Sequence, residues 1–283
     1  MDKEPGYLVI PAAGLGTRMR VINPDVPKEM LPVGDKPAIQ YTAEEGLSAG
    51  IRNIVIIISR QKEIIRRYFE DRGFQRSMFP LATEEMEKIT RECSITFLYQ
   101  KEPLGESDAI SLAQDTVGNH SVAIIYPDNI YFPVRNESPA PGALKILKSV
   151  FRQYRTDITA LMEVTGKNAT GISNSGRVDL KHLKDVLYRI ERFHPKYEGF
   201  FAPRFKGELR TCGIAISGPH LFEYIKRARA TIKGGEFTDL PVRTLMLKEK
   251  GLLGYRLPGT VFDIGNPEGY RLCLKHSGVR LDY

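Results

Sequence analysis

The chain has 283 residues, enough for one large α/β domain or two smaller ones, and its 41 Lys and Arg against 34 Asp and Glu give a net charge of +7 and a pI near 9.2. Such a basic surplus suits an anionic partner without choosing among nucleotides, sugar phosphates, nucleic acid and anionic membrane. Three cysteines (Cys93, Cys212, Cys273) with no C-x-x-C pair, five histidines without ligand spacing, and no run near the roughly 18 apolar residues of a spanning helix argue against a disulfide scaffold, a zinc module and a membrane protein.

The start, MDKEPGYLVIPAAG, carries acidic residues where a signal peptide needs basic ones, so a cytoplasmic protein is expected. Residues 7–10 read as a strand that runs into IPAAGLGTRMRVINPDVPKEMLP. Gly14 and Gly16 allow a tight turn that brings backbone N–H groups against a bulky anion. Arg18 then offers a planar fork of donors and Lys28 a mobile point charge, so the segment predicts a polyphosphate site. It is neither G-x-G-x-x-G, since Met19 stands at the third glycine, nor a P-loop.

Beyond it, strands over 53–58, 94–99 and 121–126 alternate with helical patterns over about 37–50, 61–70 and 105–117. Alternation of this kind predicts a Rossmann-like, mostly parallel mixed sheet flanked by helices, with ligands beyond the carboxyl ends of the strands. Residues 71–92 form a charged helical insertion, read as a surface excursion. Asp128 follows a strand directly, on the same edge as Gly14, and Asp263 repeats the arrangement in VFDIG. Two carboxylates on one edge suit Mg²⁺, which takes one or two protein carboxylates and fills its other positions with water and phosphate oxygens.

After residue 160 the pattern changes to short β segments, 172–179 broken by Ser175 and Gly176, 186–191 and 212–217, which predict a smaller β-rich lobe. No low-complexity linker intervenes, so 1–283 reads as one domain with lobes of about 1–160 and 161–283. The basic run at 225–229 has no interleaved aromatics and reads as a solvated helix face rather than a nucleic-acid surface. Residues 267–276 read as a closing helix.

IPAAGLGTRM with PKEMLPVGDKPAIQY, followed by Gln100, Leu104-Gly105, YPD at 126–128 and FDIGN at 262–266, resembles the sugar-1-phosphate nucleotidyltransferases, closest to the bacterial UTP:glucose-1-phosphate uridylyltransferases. The resemblance spans nearly the whole chain. It implies the nucleotide-diphospho-sugar transferase fold with a sugar-binding second lobe, transfer of a nucleotidyl group from UTP to glucose-1-phosphate, and Mg²⁺ on Asp128 and Asp263. Arg18, Lys28, Asp128 and Asp263 become the catalytic set. Ala12, Ala13 and Gly14 line the base and ribose, Gly16 and Thr17 hold phosphate with Arg18, and Gln100 and Gly105 recognise the base. Gly171, Glu191 and Arg192 fall to the sugar phosphate. Self-association follows by analogy, and the 71–92 insertion resembles one in the uridylyltransferase branch.

The chain departs from the pattern on the sugar side. The expected Val-Glu-Lys-Pro is Ile190-Glu191-Arg192-Phe193, Tyr-Gly-Val-Val is Thr170-Gly171-Ile172-Ser173, and Gly-Leu-Gly-His-Ala is altered, to Pro103-Leu104-Gly105-Glu106-Ser107-Asp108-Ala109. Arginine keeps the lysine's charge but not its geometry. Two alternatives stay open: thymidylyl transfer from dTTP to the same sugar, since a pocket rejects one methyl by only about 1–3 kcal/mol, and a non-catalytic regulatory binder of nucleotide sugars.

Overall fold

A computed structural model describes residues 4–134 and 141–278. Its strands are β1 (Tyr7–Pro11), β2 (Pro32–Val33), β3 (Lys36–Pro37), β4 (Asn53–Ile58), β5 (Ser94–Tyr99), β6 (Val122–Ile125), β7 (Asn129–Phe132), β8 (Ile158–Glu163), β9 (Val178–Lys184), β10 (Leu187–Phe193), β11 (Leu209–Ser217), β12 (Leu253–Arg256) and β13 (Thr260–Asp263). Among the described residues nine of these form one mixed sheet in the order β5-β4-β1-β6-β11-β8-β12-β10-β9. The quartet β5-β4-β1-β6 is parallel, β11 runs antiparallel to both its neighbours, and β12 is parallel to β8.

The apolar runs are continuous because both faces of the sheet are covered, and successive side chains then point to opposite sides. Leu8, Ile10, Ile54, Ile56, Ile58, Ala123 and Ile125 enter one core, with buried residues of the helices Ala38–Ser48, Glu63–Glu70 and Ala143–Tyr154. Val9, Val55, Ile57, Val122 and Ile124 enter the other, with the helices Glu106–Ser111, Leu221–Arg229 and Asp239–Lys250. The 225–229 basic run lies on Leu221–Arg229, whose buried face holds Leu221, Phe222, Tyr224, Ile225 and Ala228. Arg227 there donates to both carboxylate oxygens of Glu249 at 2.9 and 2.6 Å, as an ion-paired surface does.

Three elements differ from the sequence reading. The 71–92 insertion is helical (Arg72–Met78 and Thr83–Glu92) but no mere excursion, since Phe79, Ala82, Met86 and Ile89 are buried in the first core. Its charged residues mask an amphipathic face, each large apolar side chain of which contributes about 1.5–3 kcal/mol on burial. The 105–117 stretch is two short helices, Glu106–Ser111 and Gln114–Val117. Finally, 172–177 is not a strand: β9 begins at Val178, and the β-pairing of the preceding segment is limited to isolated bridges, Ser173 to Phe200 and Arg177 to Arg210.

What positions the site is a ribbon beyond the sheet. β7 leaves the tip of β6 and pairs antiparallel with β13, so that Asn129 faces Asp263. The Ile264 N–H donates to the Asp128 carbonyl at 2.8 Å, joining the two motifs. Helix Pro267–Ser277 starts at once, capped by Asn266, whose Oδ1 accepts from the Gly269 N–H at 2.8 Å.

Candidate active site

After β1 the chain turns at Gly16, which is left-handed (φ 61°, ψ 25°), and enters a short 3-10 helix, Thr17–Val21. Gly14 is not at positive φ, and a Cβ there would meet nothing within 4 Å, so its missing side chain clears space rather than permitting the turn. Met19 is buried among Phe262, Ile264 and Tyr270, which leaves its exposed neighbour Arg18 on the cleft side, where Nη1 donates to Ser173 Oγ at 2.6 Å.

Lys28 and Glu29 face opposite ways. Lys28 Nζ lies 2.5 Å from Asp128 Oδ2, with side-chain exposures of 16 % and 18 %. Burial opposes the charge of Lys28, but the carboxylates of Asp128, Glu29 and Asp263 outweigh it and raise its pKa. Burial likewise works against the Asp128 carboxylate, and Lys28 with Arg18 holds its pKa below the ordinary value. Glu29 turns inward to Lys62, whose Nζ donates to Oε1 at 2.9 Å, Oε2 at 2.8 Å and the Ala12 carbonyl at 2.8 Å. All three ammonium hydrogens are used, and the loop is tied to the core from beneath.

The structure brings Asp128 and Asp263 together around Gly265. A Cβ on Gly265 would sit 2.8 Å from Asp128 Oδ2 and 3.0 Å from Asp263 Oδ1, so both carboxylates converge on one small space. Asp263 is held there by N–H groups: Gly265 donates to Oδ1 and Ser173 to Oδ2, each at 3.0 Å. Asn129 Nδ2 donates to Asp128 Oδ1 at 2.8 Å. Asn129 is admitted by Gly213 at an irregularity of β11, where a Cβ would approach its Nδ2 to 2.6 Å. Among the described residues no cluster of three or more His, Cys, Asp or Glu could hold a metal ion.

Gln100 ends β5 at the same edge. Its Nε2 donates to the Gly105 carbonyl at 3.0 Å and to Asp108 Oδ2 at 2.9 Å, so both amide hydrogens are committed and the side chain offers a base its oxygen alone, not donor and acceptor together. Gly105 itself needs to be glycine: its φ is 109°, and a Cβ would lie 2.5 Å from the Phe237 carbonyl oxygen. Segment 235–239 thereby braces the loop, with Phe237 N–H donating to the Leu104 carbonyl at 2.6 Å.

The sugar-side residues fall in two places. Gly171 packs against the closing helix, where a Cβ would meet Leu272 Cδ1 at 2.6 Å, and its carbonyl accepts from Asn266 Nδ2 at 3.0 Å. Glu191 and Arg192 are exposed on β10, at a slip in the pairing with β9 between Ile190 and Arg192. Sequence reasoning missed Glu29, Lys62, Ser173, Asn129 and Asp108. Glu29 left a signal as an acidic residue inside the PKEMLP run, and Ser173 and Asp108 as members of the two altered motifs.

The model of the family described as nucleotidyl transferase matches residues 7–166. UTP–glucose-1-phosphate uridylyltransferase 1 of Staphylococcus saprophyticus is 29 % identical over 283 residues, covering 97 % of this chain and 93 % of its own. UTP–glucose-1-phosphate uridylyltransferase YngB of Bacillus subtilis is 30 % identical, covering 98 % and 90 %. A crystal structure of UDP-glucose pyrophosphorylase complexed with UDP-glucose superposes with a TM-score of 0.79 at 27 % identity, covering 97 % of both chains. Among the described residues no helix is long and apolar enough to cross a membrane.

Proposed function

The chain belongs to the nucleotidyl transferase family, and from that premise we propose that it transfers the uridylyl group of UTP to glucose-1-phosphate or a related sugar-1-phosphate. The observation that carries this reading is the convergence of the Asp128 and Asp263 carboxylates around Gly265, with Lys28 already on Asp128.

A sugar-phosphate oxygen attacks the α-phosphorus of UTP. The new P–O bond replaces the bond to the β-phosphate, and pyrophosphate leaves. A phosphate monoester has its second pKa near 6, so the nucleophile arrives as an anion and needs no general base. What the protein supplies is alignment and positive charge against the repulsion of two anions. The carboxylate pair and the glycine between them fit a hard, oxygen-liganded cation. Asp128 and Asp263 would hold Mg²⁺, which when bound neutralises phosphate charge.

Lys28 stays protonated throughout the working pH range, because its neighbours raise its pKa further. Released from Asp128, it stabilises charge on the α-phosphate. Arg18, released from Ser173, forks onto the β and γ phosphates beside the Gly16 and Thr17 backbone. Ala12, Ala13 and Gly14 bound the base and ribose, and Gln100 and Gly105 read the base edge. Gly171, Glu191 and Arg192 are assigned to the sugar phosphate, and the last two are exposed on β10.

The test is pyrophosphate release with Mg²⁺ from UTP, dTTP, CTP, ATP and GTP, each with glucose-1-phosphate, galactose-1-phosphate or N-acetylglucosamine-1-phosphate. Turnover with UTP, abolished in Asp128→Asn, is expected. Preference for dTTP would make the chain a thymidylyltransferase. Silence across the panel, with nucleotide sugar still bound, would favour the regulatory binder.

A further inference from the structure

The Gln100 amide nitrogen is bonded to a carboxylate of the next helix. The side chain is 5 % exposed, and its backbone N–H is fixed on the Ile58 carbonyl at 2.9 Å. Two oxygens converge on its Nε2: the Gly105 carbonyl at 3.0 Å and Asp108 Oδ2 at 2.9 Å. A carbonyl and an ionised carboxylate only accept, so turning the amide over would set Oε1 against two acceptors at once. Gly105 cannot move aside, because the Phe237 backbone fills the space next to it and the Ser107 N–H is bonded to the Phe237 carbonyl at 3.1 Å.

We propose that Asp108 is a positioning residue for base selection: it holds the Gln100 amide with Oε1 toward the ligand, so that the site accepts a pyrimidine carrying an N3–H donor and rejects one whose N3 is an acceptor. Uracil and thymine satisfy this and cytosine does not. The inference rests on the nucleotidyl-transfer reading above and deepens its base-binding step. It also explains why the site, on this contact, does not separate UTP from dTTP, whose bases share the N3–H.

Equilibrium titration with UDP-glucose and CDP-glucose tests this without turnover. The wild type is expected to prefer UDP-glucose. In Asp108→Asn the amide can meet either end of Gln100, and in Asp108→Ala the charged acceptor is gone; each is expected to narrow the preference by about tenfold, the share of one charge-assisted hydrogen bond. A structural role would instead weaken both ligands in proportion or lower the melting temperature with the ratio unchanged, and either result overturns the proposal. A wild type that prefers UDP-glucose beside variants that keep the full preference refutes Asp108 alone. A wild type that binds neither ligand refutes the uridylyl reading and this inference with it.

Discussion

Lys28 and Glu29 are consecutive in the chain and each belongs to a lysine–carboxylate pair, but the two pairs are built for opposite ends. Lys28–Asp128 lies at the cleft with 16 % and 18 % of the side chains exposed, whereas Lys62–Glu29 lies beneath with 7 % and 1 %. In the outer pair, neighbouring carboxylates raise the lysine pKa despite burial; in the inner pair, burial lowers the Lys62 pKa against the pull of Glu29. The outer ion pair can exchange partners at little cost, because water and an incoming phosphate can replace what is lost. The inner one cannot at comparable cost, since all three of its ammonium hydrogens are bonded inside the protein. One short 3-10 helix, Lys28–Met30, thus presents a movable charge and the anchor that holds it in place.

The largest expected effect comes from removing the movable charge. Lys28→Ala should lower kcat by about 100- to 1,000-fold, the cost of losing one preorganised charge at a developing anion, while nucleotide affinity changes little. Steady-state kinetics beside a UTP binding isotherm check this. Equal losses in both would mean that Lys28 binds substrate and transition state alike, and the contrast between the pairs would fail.

Removing the inner partner should act on stability instead. Glu29→Ala leaves Lys62 buried and unpaired, a loss of about 3–5 kcal/mol in chemical denaturation. The double variant Glu29→Leu with Lys62→Met should recover most of it, since apolar groups of similar volume often match a buried ion pair. If Glu29→Ala unfolds no more easily than the wild type, water reaches Lys62 and the inner pair is no anchor.

The same contrast explains what was legible in the sequence. Arg18, Lys28, Asp128 and Asp263 stand out because their signals are local: a glycine turn after an apolar run, or a carboxylate at a strand tip. The parallel quartet was readable for a similar reason, since its alternating apolar residues fill two cores whatever their neighbours. Partners distant in the chain were not. Lys62 is 33 residues from Glu29, and Ser173 is 155 from Arg18, so only tertiary packing joins them. The segment 172–177 read as strand because it joins the apolar residues Ile172 and Val178 as one short β segment interrupted at Ser175 and Gly176, although the chain bends at Asn174 and Gly176 is at positive φ. The insertion at 71–92 read as surface because its charges outnumber the few apolar residues that anchor it.

A third charged cluster sharpens the comparison with the smallest effect. Glu106 faces Asp239, whose N–H donates to Glu106 Oε1 at 3.2 Å and whose Oδ2 accepts from Arg243 Nε at 2.6 Å. With Arg243 committed to Asp239, Glu106 has no ion pair with a cation among the described residues. Burial first, then the charges of Asp239 and Glu236, push its pKa from 4.5 to about 7. A folded-state pKa above the unfolded value means that the native protein keeps a proton which the unfolded chain has released. The resulting stabilisation is complete below pH 4.5 and is lost as pH rises through about 7. Glu106→Gln keeps the uncharged form at every pH, so its denaturation midpoint should fall less than the wild type's between about pH 5 and about pH 7.5. Parallel profiles would mean that Glu106 ionises at its ordinary pKa, and that Arg243 serves both carboxylates. Crossing or converging profiles would make it the intermediate case, a cleft-side acid that lacks the partner Lys28 gives to Asp128.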